Sequence, residues 1–258
     1  EKEESQGLNP LLLTNNEKNR NFLLRWFILL GAVNGHKITD DDKKLIISVI
    51  THLYTLPEEQ RKLSNIAAKF GTPSEENYAG KITPWYGKGK YARLFDNDAS
   101  SVMSFDPLVL GFGMSHIVKD KKSLGPVLTY LFHCIDLSLD GSPTMIVLDE
   151  AWNLVNNPLF APHLDKWLDH LTKMNAMVIF ATESIDNTNK SELTTTITSK
   201  IATQIFLPHP EAHKSSVAYQ QTWGLNDEEF ETLSRMTLQN RRFMLRQDQN
   251  TIVGQLDL

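Results

Sequence analysis

The stretch Thr144-Met-Ile-Val-Leu-Asp-Glu-Ala-Trp152 decides the fold class. Its apolar residues lead into two adjacent carboxylates, Asp149 and Glu150, the pattern of a short buried strand whose end carries polar groups. Comparable apolar runs recur at 102–110, 176–182 and 201–207, and the spacing between them predicts helices near 122–139, 158–174 and 187–199. Helices alternating with short apolar strands imply a parallel sheet in an α/β domain. At the far end, 241–246 and 251–256 read as a hairpin turning at Asp248-Gln-Asn250.

The region before this alternation has a different period. Residues 17 to about 70 read as helices: Asn16 or Thr14 caps a stretch with Phe22, Leu23, Trp26, Phe27, Leu29 and Leu30 on one face. Thr39-Asp-Asp-Asp42 opens a second helix with an acidic first turn that suits the helix dipole. Pro57-Glu-Glu opens a third, through Leu63, Ile66 and Phe70 to Gly71. From 71 to about 100 the composition shifts to Gly, Pro, Lys and aromatics, as in Thr83-Pro-Trp-Tyr-Gly-Lys-Gly-Lys-Tyr91, which is loop chemistry.

Composition narrows the function classes. The chain has 258 residues, 41% of them hydrophobic, enough to build a sizeable core. Its 31 acidic and 26 basic residues leave a net charge of -5, which argues against a surface given over to nucleic acid. Cys134 is the single cysteine, which excludes an intrachain disulfide framework and a multi-cysteine zinc site. The apolar run 26–33 is far shorter than the roughly 20 residues a membrane helix needs. The acidic opening Glu1-Lys-Glu-Glu4 is unlike a signal peptide, and with no initiator Met it reads as an edge inside a longer protein.

Asp149 and Glu150 at a strand end match the Walker B arrangement of nucleotide hydrolases. There the first carboxylate supports Mg²⁺, often through water, and the second polarises the attacking water. The plain alternative is a strand ending in two solvated acids. A second strand end, Val178-Ile-Phe-Ala-Thr-Glu-Ser184, offers Thr182, Glu183 and Ser184 as groups that read the γ-phosphate, or alternatively as a turn in which Ser184 or Asp186 caps the next helix. Arg235, Arg241, Arg242 and Arg246 form a basic cluster suited to phosphate oxygens or to a solvated hairpin face. Period-two alternation puts Arg242 and Arg246 on one face. The phosphate-cradling partner motif, G-x-x-x-x-G-K-[ST], is absent. Its nearest approaches, Ala79-Gly-Lys-Ile82 and Tyr86-Gly-Lys-Gly-Lys90, lack the following Ser or Thr. His163 and His170, and His209 and His213, lack further ligands for a metal site. Cys134, among Leu131, Phe132 and Ile135, reads as a buried inert thiol. The chain thus carries half of a nucleotide site.

An ordered series of motifs resembles the type IV secretion ATPases of the VirB-four, TrbE and TraC family. It runs through Leu8-Asn-Pro10, Leu94-Phe-Asp-Asn97, Leu110-Gly-Phe-Gly-Met114, Tyr130-Leu-Phe-His133 and Leu139-Asp-Gly141. It continues through Val147-Leu-Asp-Glu-Ala-Trp152, Ala181-Thr-Glu-Ser184, Ile205-Phe-Leu-Pro208, Arg242-Phe-Met-Leu-Arg-Gln247 and Leu256-Asp-Leu258. The resemblance implies a RecA-like P-loop NTPase core with a mostly parallel sheet, an inserted all-helical subdomain and a C-terminal β-hairpin. The core is expected at 1–16 and 91–258, and the helical insert with its connecting loop at 17–90. It implies Mg-ATP hydrolysis powering substrate transfer or pilus biogenesis. Asp149 would support Mg²⁺, Glu150 would orient water, Thr182, Glu183 and Ser184 would form the sensor box, and Arg242 and Arg246 would act across a subunit interface.

The family's proteins are cytoplasmic and peripheral to the bacterial inner membrane. They assemble as hexamers or dimers with other secretion components. Their P-loop lies upstream of the Asn-Pro segment, so this chain alone is expected to be inactive. Two positions depart from the family: its sensor glutamine is Glu183 here, and an expected arginine is Thr172, followed by Lys173. These departures favour an alternative, a catalytically degenerate docking paralogue. A DNA-translocating motor of the same fold is a further alternative, against which the net charge argues mildly.

Overall fold

A computed structural model describes residues 7–98, 109–113, 120–152, 161–190, 194–248 and 250–256. The expected strand at 102–110 and the Leu256-Asp-Leu258 tail lie largely outside them. By packing, the chain divides into two compact units, 1–140 and 141–258. This division follows contacts, whereas boundaries at 16/17 and 90/91 follow motif order.

The first unit is helical. Asn16 accepts from the Asn19 amide and caps α1 (Glu17–Ala32). Thr39 and Asp42 form a reciprocal capping box that starts α2 (Asp40–Leu53), as the acidic turn predicts. The expected third helix is broken. A 3₁₀ turn at Glu58–Gln60 is followed by the short α3 (Leu63–Ile66) and a second 3₁₀ turn, Ala67–Phe70. The chain leaves helical geometry at Arg61 (φ -81°, ψ 73°), whose Nε donates to the Leu56 carbonyl and whose guanidinium lies 5.4 Å over the Tyr54 ring. Gly71 then ends the segment at φ 96°, a conformation that glycine adopts without steric cost.

Residues 71–98, expected to be loop, contribute α4 (Tyr78–Ile82), α5 (Ala92–Phe95) and much of the core. Tyr78, Trp85 and Phe95 are buried with Trp26, Phe27 and Leu30. The polar tips of these aromatics are satisfied inside: Tyr78 Oη donates to the Phe27 carbonyl at 2.6 Å and Trp85 Nε1 to that of Leu30 at 3.2 Å. The last helix, α6 (Lys121–Ser138), packs on α1, and its Pro126 carbonyl accepts from Trp26 Nε1 at 3.2 Å.

The second unit is α/β. Strands β1 (Thr144–Leu148) and β2 (Ala176–Phe180) pair in parallel, Thr144 opposite Ala176 and Leu148 opposite Phe180. Helix α7 (Ala161–Lys173) packs on β2 and buries Leu164, Trp167 and Leu171. After α8 (Thr194–Lys200), β3 (Thr203–Phe206) pairs antiparallel with β4 (Arg242–Gln247), which forms the expected hairpin with β5 (Asn250–Gln255). β3 therefore joins the hairpin sheet rather than β1 and β2 among the described residues. Helix α9 (Asp227–Arg235), opened by an Asn226–Glu229 capping box, lies between β3 and β4 in sequence and buries Leu233 with Phe206, Tyr219 and Met244.

Candidate nucleotide half-site

The β1–β2 pair places the two predicted motif ends side by side. The ladder runs past both strands: the Ala181 amide donates to the Leu148 carbonyl at 2.9 Å, and the Ala151 amide returns to the Ala181 carbonyl at 3.0 Å. Asp149 and Glu150 occupy the gap between these two bonds, so the chain loops out at the carboxylates and rejoins the ladder at Ala151. Both acids are exposed. Glu150 adopts φ 48°, a left-handed conformation uncommon for a non-glycine residue, and its amide donates to Asp149 Oδ1 at 3.0 Å. The polar end of β2 follows directly. Thr182 and Glu183 are exposed and Ser184 half-buried, with Thr182 Oγ1 donating to the Ser184 carbonyl at 3.1 Å. The structure thus brings Asp149, Glu150, Thr182, Glu183 and Ser184 to one end of one parallel pair, where α/β sheets present ligand-binding groups.

Trp152 fixes the loop from below. It is buried, its Nε1 donates to Thr194 Oγ1 at 3.5 Å, and its ring lies 5.8 Å from that of Trp223. Read from sequence, this tryptophan is only the tail of the carboxylate motif. An indole two residues after a pair of solvated acids is the available signal, since a ring that large is rarely left in water.

The arginines are carried on the other sheet. Arg242 is exposed at the start of β4. Arg246 is held inside the unit: its Nη1 donates to the Trp223 carbonyl at 2.8 Å and its Nε lies 3.9 Å from Glu229 Oε1. Glu229 in turn accepts from Thr251 Oγ1, and its carboxyl is held below the usual range: Thr251, the Asn226 amide and the positive charge of Arg246 outweigh burial, the largest single influence, which acts the other way. Thr172, where a cation was expected, donates to the Leu168 carbonyl at 3.1 Å.

The glycine-lysine segments make no phosphate cradle. A Cβ on Gly80 would lie 1.7 Å from the Ser74 carbonyl oxygen, so that glycine serves close backbone packing, and the Gly87 amide donates to Asp96 Oδ2 at 2.8 Å. Among the described residues no group of three or more His, Cys, Asp or Glu is placed to hold a metal ion. A single exposed carboxylate still fits Mg²⁺, which takes one or two protein oxygens and completes its shell with phosphate and water. Cys134 is buried, and burial pushes its thiol up to about 12, as befits an inert core residue.

Several motif residues in the helical unit are internal braces. Asn9 is fully buried: its Nδ2 donates to the carbonyls of Arg61 and Asn97 at 2.9 and 2.7 Å, and its Oδ1 accepts from the Leu11 amide. Asn97 Nδ2 reciprocates to the Leu8 carbonyl at 3.0 Å. His133 stacks on Phe22 with centroids 3.9 Å apart and bonds Asn19 Oδ1 at 2.8 Å.

No family model matches the chain. The type IV secretion system protein virB4 of Bartonella quintana is 30% identical over 254 residues, 98% of this chain and 32% of that protein. A probable conjugal transfer protein TrbE of Sinorhizobium fredii is 29% identical over 231 residues, 88% of this chain and 34% of that protein. This chain therefore spans about a third of the length of these relatives. The solved structure of VirB4 from Thermoanaerobacter pseudethanolicus superposes with a TM-score of 0.69 at 14% identity, over 98% of this chain and 74% of that one, which shows the shared fold.

Proposed function

We propose that this chain, which matches the C-terminal region of VirB4-family type IV secretion proteins, is the carboxylate half of a Mg-ATP hydrolysis site in a longer secretion ATPase. The observation that carries this reading is the looped-out Asp149–Glu150 pair, held between two ladder bonds beside the polar end of β2. Bound Mg-ATP would supply the phosphoanhydride, with its phosphates cradled by residues outside this chain. Asp149 would hold the cation, one of its oxygens already fixed by the Glu150 amide. Glu150 orients the attacking water and accepts its proton. Ser184 offers a hydroxyl toward phosphate, Thr182 would do so on turning its O–H away from the Ser184 carbonyl, and Glu183 needs a cation or a proton to sit near that charge. Of the two arginines, exposed Arg242 is the one to reach a neighbouring subunit, while Arg246 keeps β4 in place. Such a site calls for a homo-oligomer, a hexamer or dimer, working with other secretion components at the cytoplasmic face of the inner membrane. Among the described residues no helix is long and apolar enough to cross a membrane.

Glu183 and Thr172 favour a second reading, a docking paralogue that has lost turnover. The two readings separate in the full-length protein. Glu150→Gln should lower steady-state ATP hydrolysis by about 100-fold or more while nucleotide binding persists, since removal of one transition-state group has that order of effect. Unchanged hydrolysis in that variant sinks the role given to Glu150, and a wild-type protein without hydrolysis favours the docking reading. Calorimetry on the 258-residue chain should show little ATP binding, and tight binding would contradict a half-site.

A further inference from the structure

Two buried threonines and two tryptophans link the carboxylate loop to the arginine strand. Thr194 Oγ1 accepts from Trp152 Nε1 at 3.5 Å and donates to the Thr188 carbonyl. One step on, Thr188 Oγ1 accepts from Trp223 Nε1 at 2.9 Å and donates to the Ile185 carbonyl at 2.6 Å. The Trp223 carbonyl then accepts from Arg246 on β4 at 2.8 Å. Each threonine therefore uses its hydroxyl twice, once toward an indole and once toward the backbone, and both are almost fully buried, at 0% and 4% exposure.

The placement of this chain of bonds matters as much as its composition. Trp152 immediately follows the Asp149–Glu150–Ala151 loop, and Ile185 immediately follows the Thr182–Ser184 segment. Trp223 leaves a π-helical turn, Ala218–Thr222, a rare form that is frequent at functional positions. The left-handed backbone of Glu150 is the kind of strain that persists only where surrounding contacts hold it. The contacts around it include its own amide bond to Asp149 Oδ1, the ladder bond at Ala151 and the buried indole of Trp152.

We propose that Trp152, Thr194, Thr188 and Trp223 are positioning residues that couple the carboxylate loop to strand β4, so that the loop geometry and the arginine strand shift together. Any one hydroxyl or indole N–H removed leaves a buried or half-buried partner without its bond, and the defect is felt at both ends. The coupling stands on these contacts, and only its consequence for turnover rests on the proposed ATPase reading.

Amide hydrogen exchange on the 258-residue chain tests it. Thr194→Val, which keeps the shape and removes the hydroxyl, should speed exchange about tenfold both at 148–152 and at 242–247, while Thr194→Ser should not. Acceleration confined to the surroundings of residue 194, with β4 unchanged, overturns the coupling. If Thr194→Val does not fold, Trp223→Phe decides instead, with faster exchange expected at 148–152 and no change there overturning the proposal. In the full-length protein Trp152→Phe should lower kcat about fivefold with KM unchanged when the rate is normalised to the folded fraction measured by circular dichroism, so that lost protein is not counted as lost turnover. An unaltered kcat overturns the positioning role. A wild-type protein without turnover would instead count against the ATPase reading, leaving the exchange result to decide the coupling.

Discussion

Asn9 and His133, in the helical unit, are buried and bonded on several sides, whereas Asp149, Glu150, Thr182 and Glu183, in the α/β unit, face solvent. Particular apolar residues contrast in the same way. Trp26, Trp85 and Phe95 are fully buried, while on β1 Met145 and Val147 are 60% and 58% exposed, opposite Met177 and Ile179, also exposed, on β2. A parallel pair is ordinarily covered on both faces, so in these residues the α/β unit displays what the helical unit encloses. Motif residues thus fall in two settings: some brace a core, and others stand exposed at a sheet end.

The sharpest way to break that comparison is to cut one large residue from each unit. Trp85→Ala removes an indole that bonds the Leu30 carbonyl and stacks on Tyr91 at 4.6 Å. It should cost about 3–5 kcal/mol in urea unfolding. Met145→Ala, at a position mostly in water, should cost under about 1 kcal/mol. Similar losses from the two would mean that the β1–β2 face is covered in solution.

Next in size is a pH effect specific to the helical unit. Burial, then the nearby charges of Lys18 and Arg25, lowers His133 from 6.5 to about 4. Because Asn19 Nδ2 donates to the Thr14 carbonyl, Asn19 Oδ1 is left to accept, and the neutral imidazole donates through Nε2. Between the two values the unfolded chain binds the proton and the folded chain does not. Stability should therefore fall as pH drops from about 6.5 to about 4, by up to about 3 kcal/mol, and this group adds no further change below that. His133→Gln should flatten that part of the stability profile, and an unaltered slope would place the titration elsewhere. Asn9→Ala, which orphans the carbonyls of Arg61 and Asn97, should cost about 2 kcal/mol at neutral pH, checked in the same unfolding assay.

What is legible in the sequence follows the range of the forces involved. Caps at Asn16 and Thr39, strands β1 and β2 and the terminal hairpin are written in local spacing. The core role of 71–98 is hidden because Gly and Pro make the backbone look like loop, while Tyr78, Trp85 and Phe95 act through distant partners such as Phe27 and Leu30. The pairing of β3 with β4 is likewise illegible, since strand neighbours are chosen by tertiary packing. At the candidate site, the acids and the Thr-Glu-Ser segment can be found by type and position. The engagement of Arg246 by Trp223 and Glu229 cannot, because a charge reads the same whether paired or solvated.

The smallest effect tests whether the exposed site carries strain that the buried braces do not. Glu150 holds φ 48°, where a long side chain is disfavoured and asparagine is tolerated. Glu150→Asn should raise the stability of the chain by about 0.5–1 kcal/mol, whereas Glu150→Gln, with the same backbone preference and no charge, should leave it nearly unchanged. The pair separates geometry from electrostatics, because only the asparagine relieves the backbone while both remove the carboxylate charge beside Asp149. A gain in both would assign the cost to repulsion between the two acids. A loss in Glu150→Asn would mean that the loop is held by the glutamate side chain itself. A gain in Glu150→Asn alone would mean that the loop keeps Glu150 in its place against the backbone's preference, as a site selected for geometry over stability should.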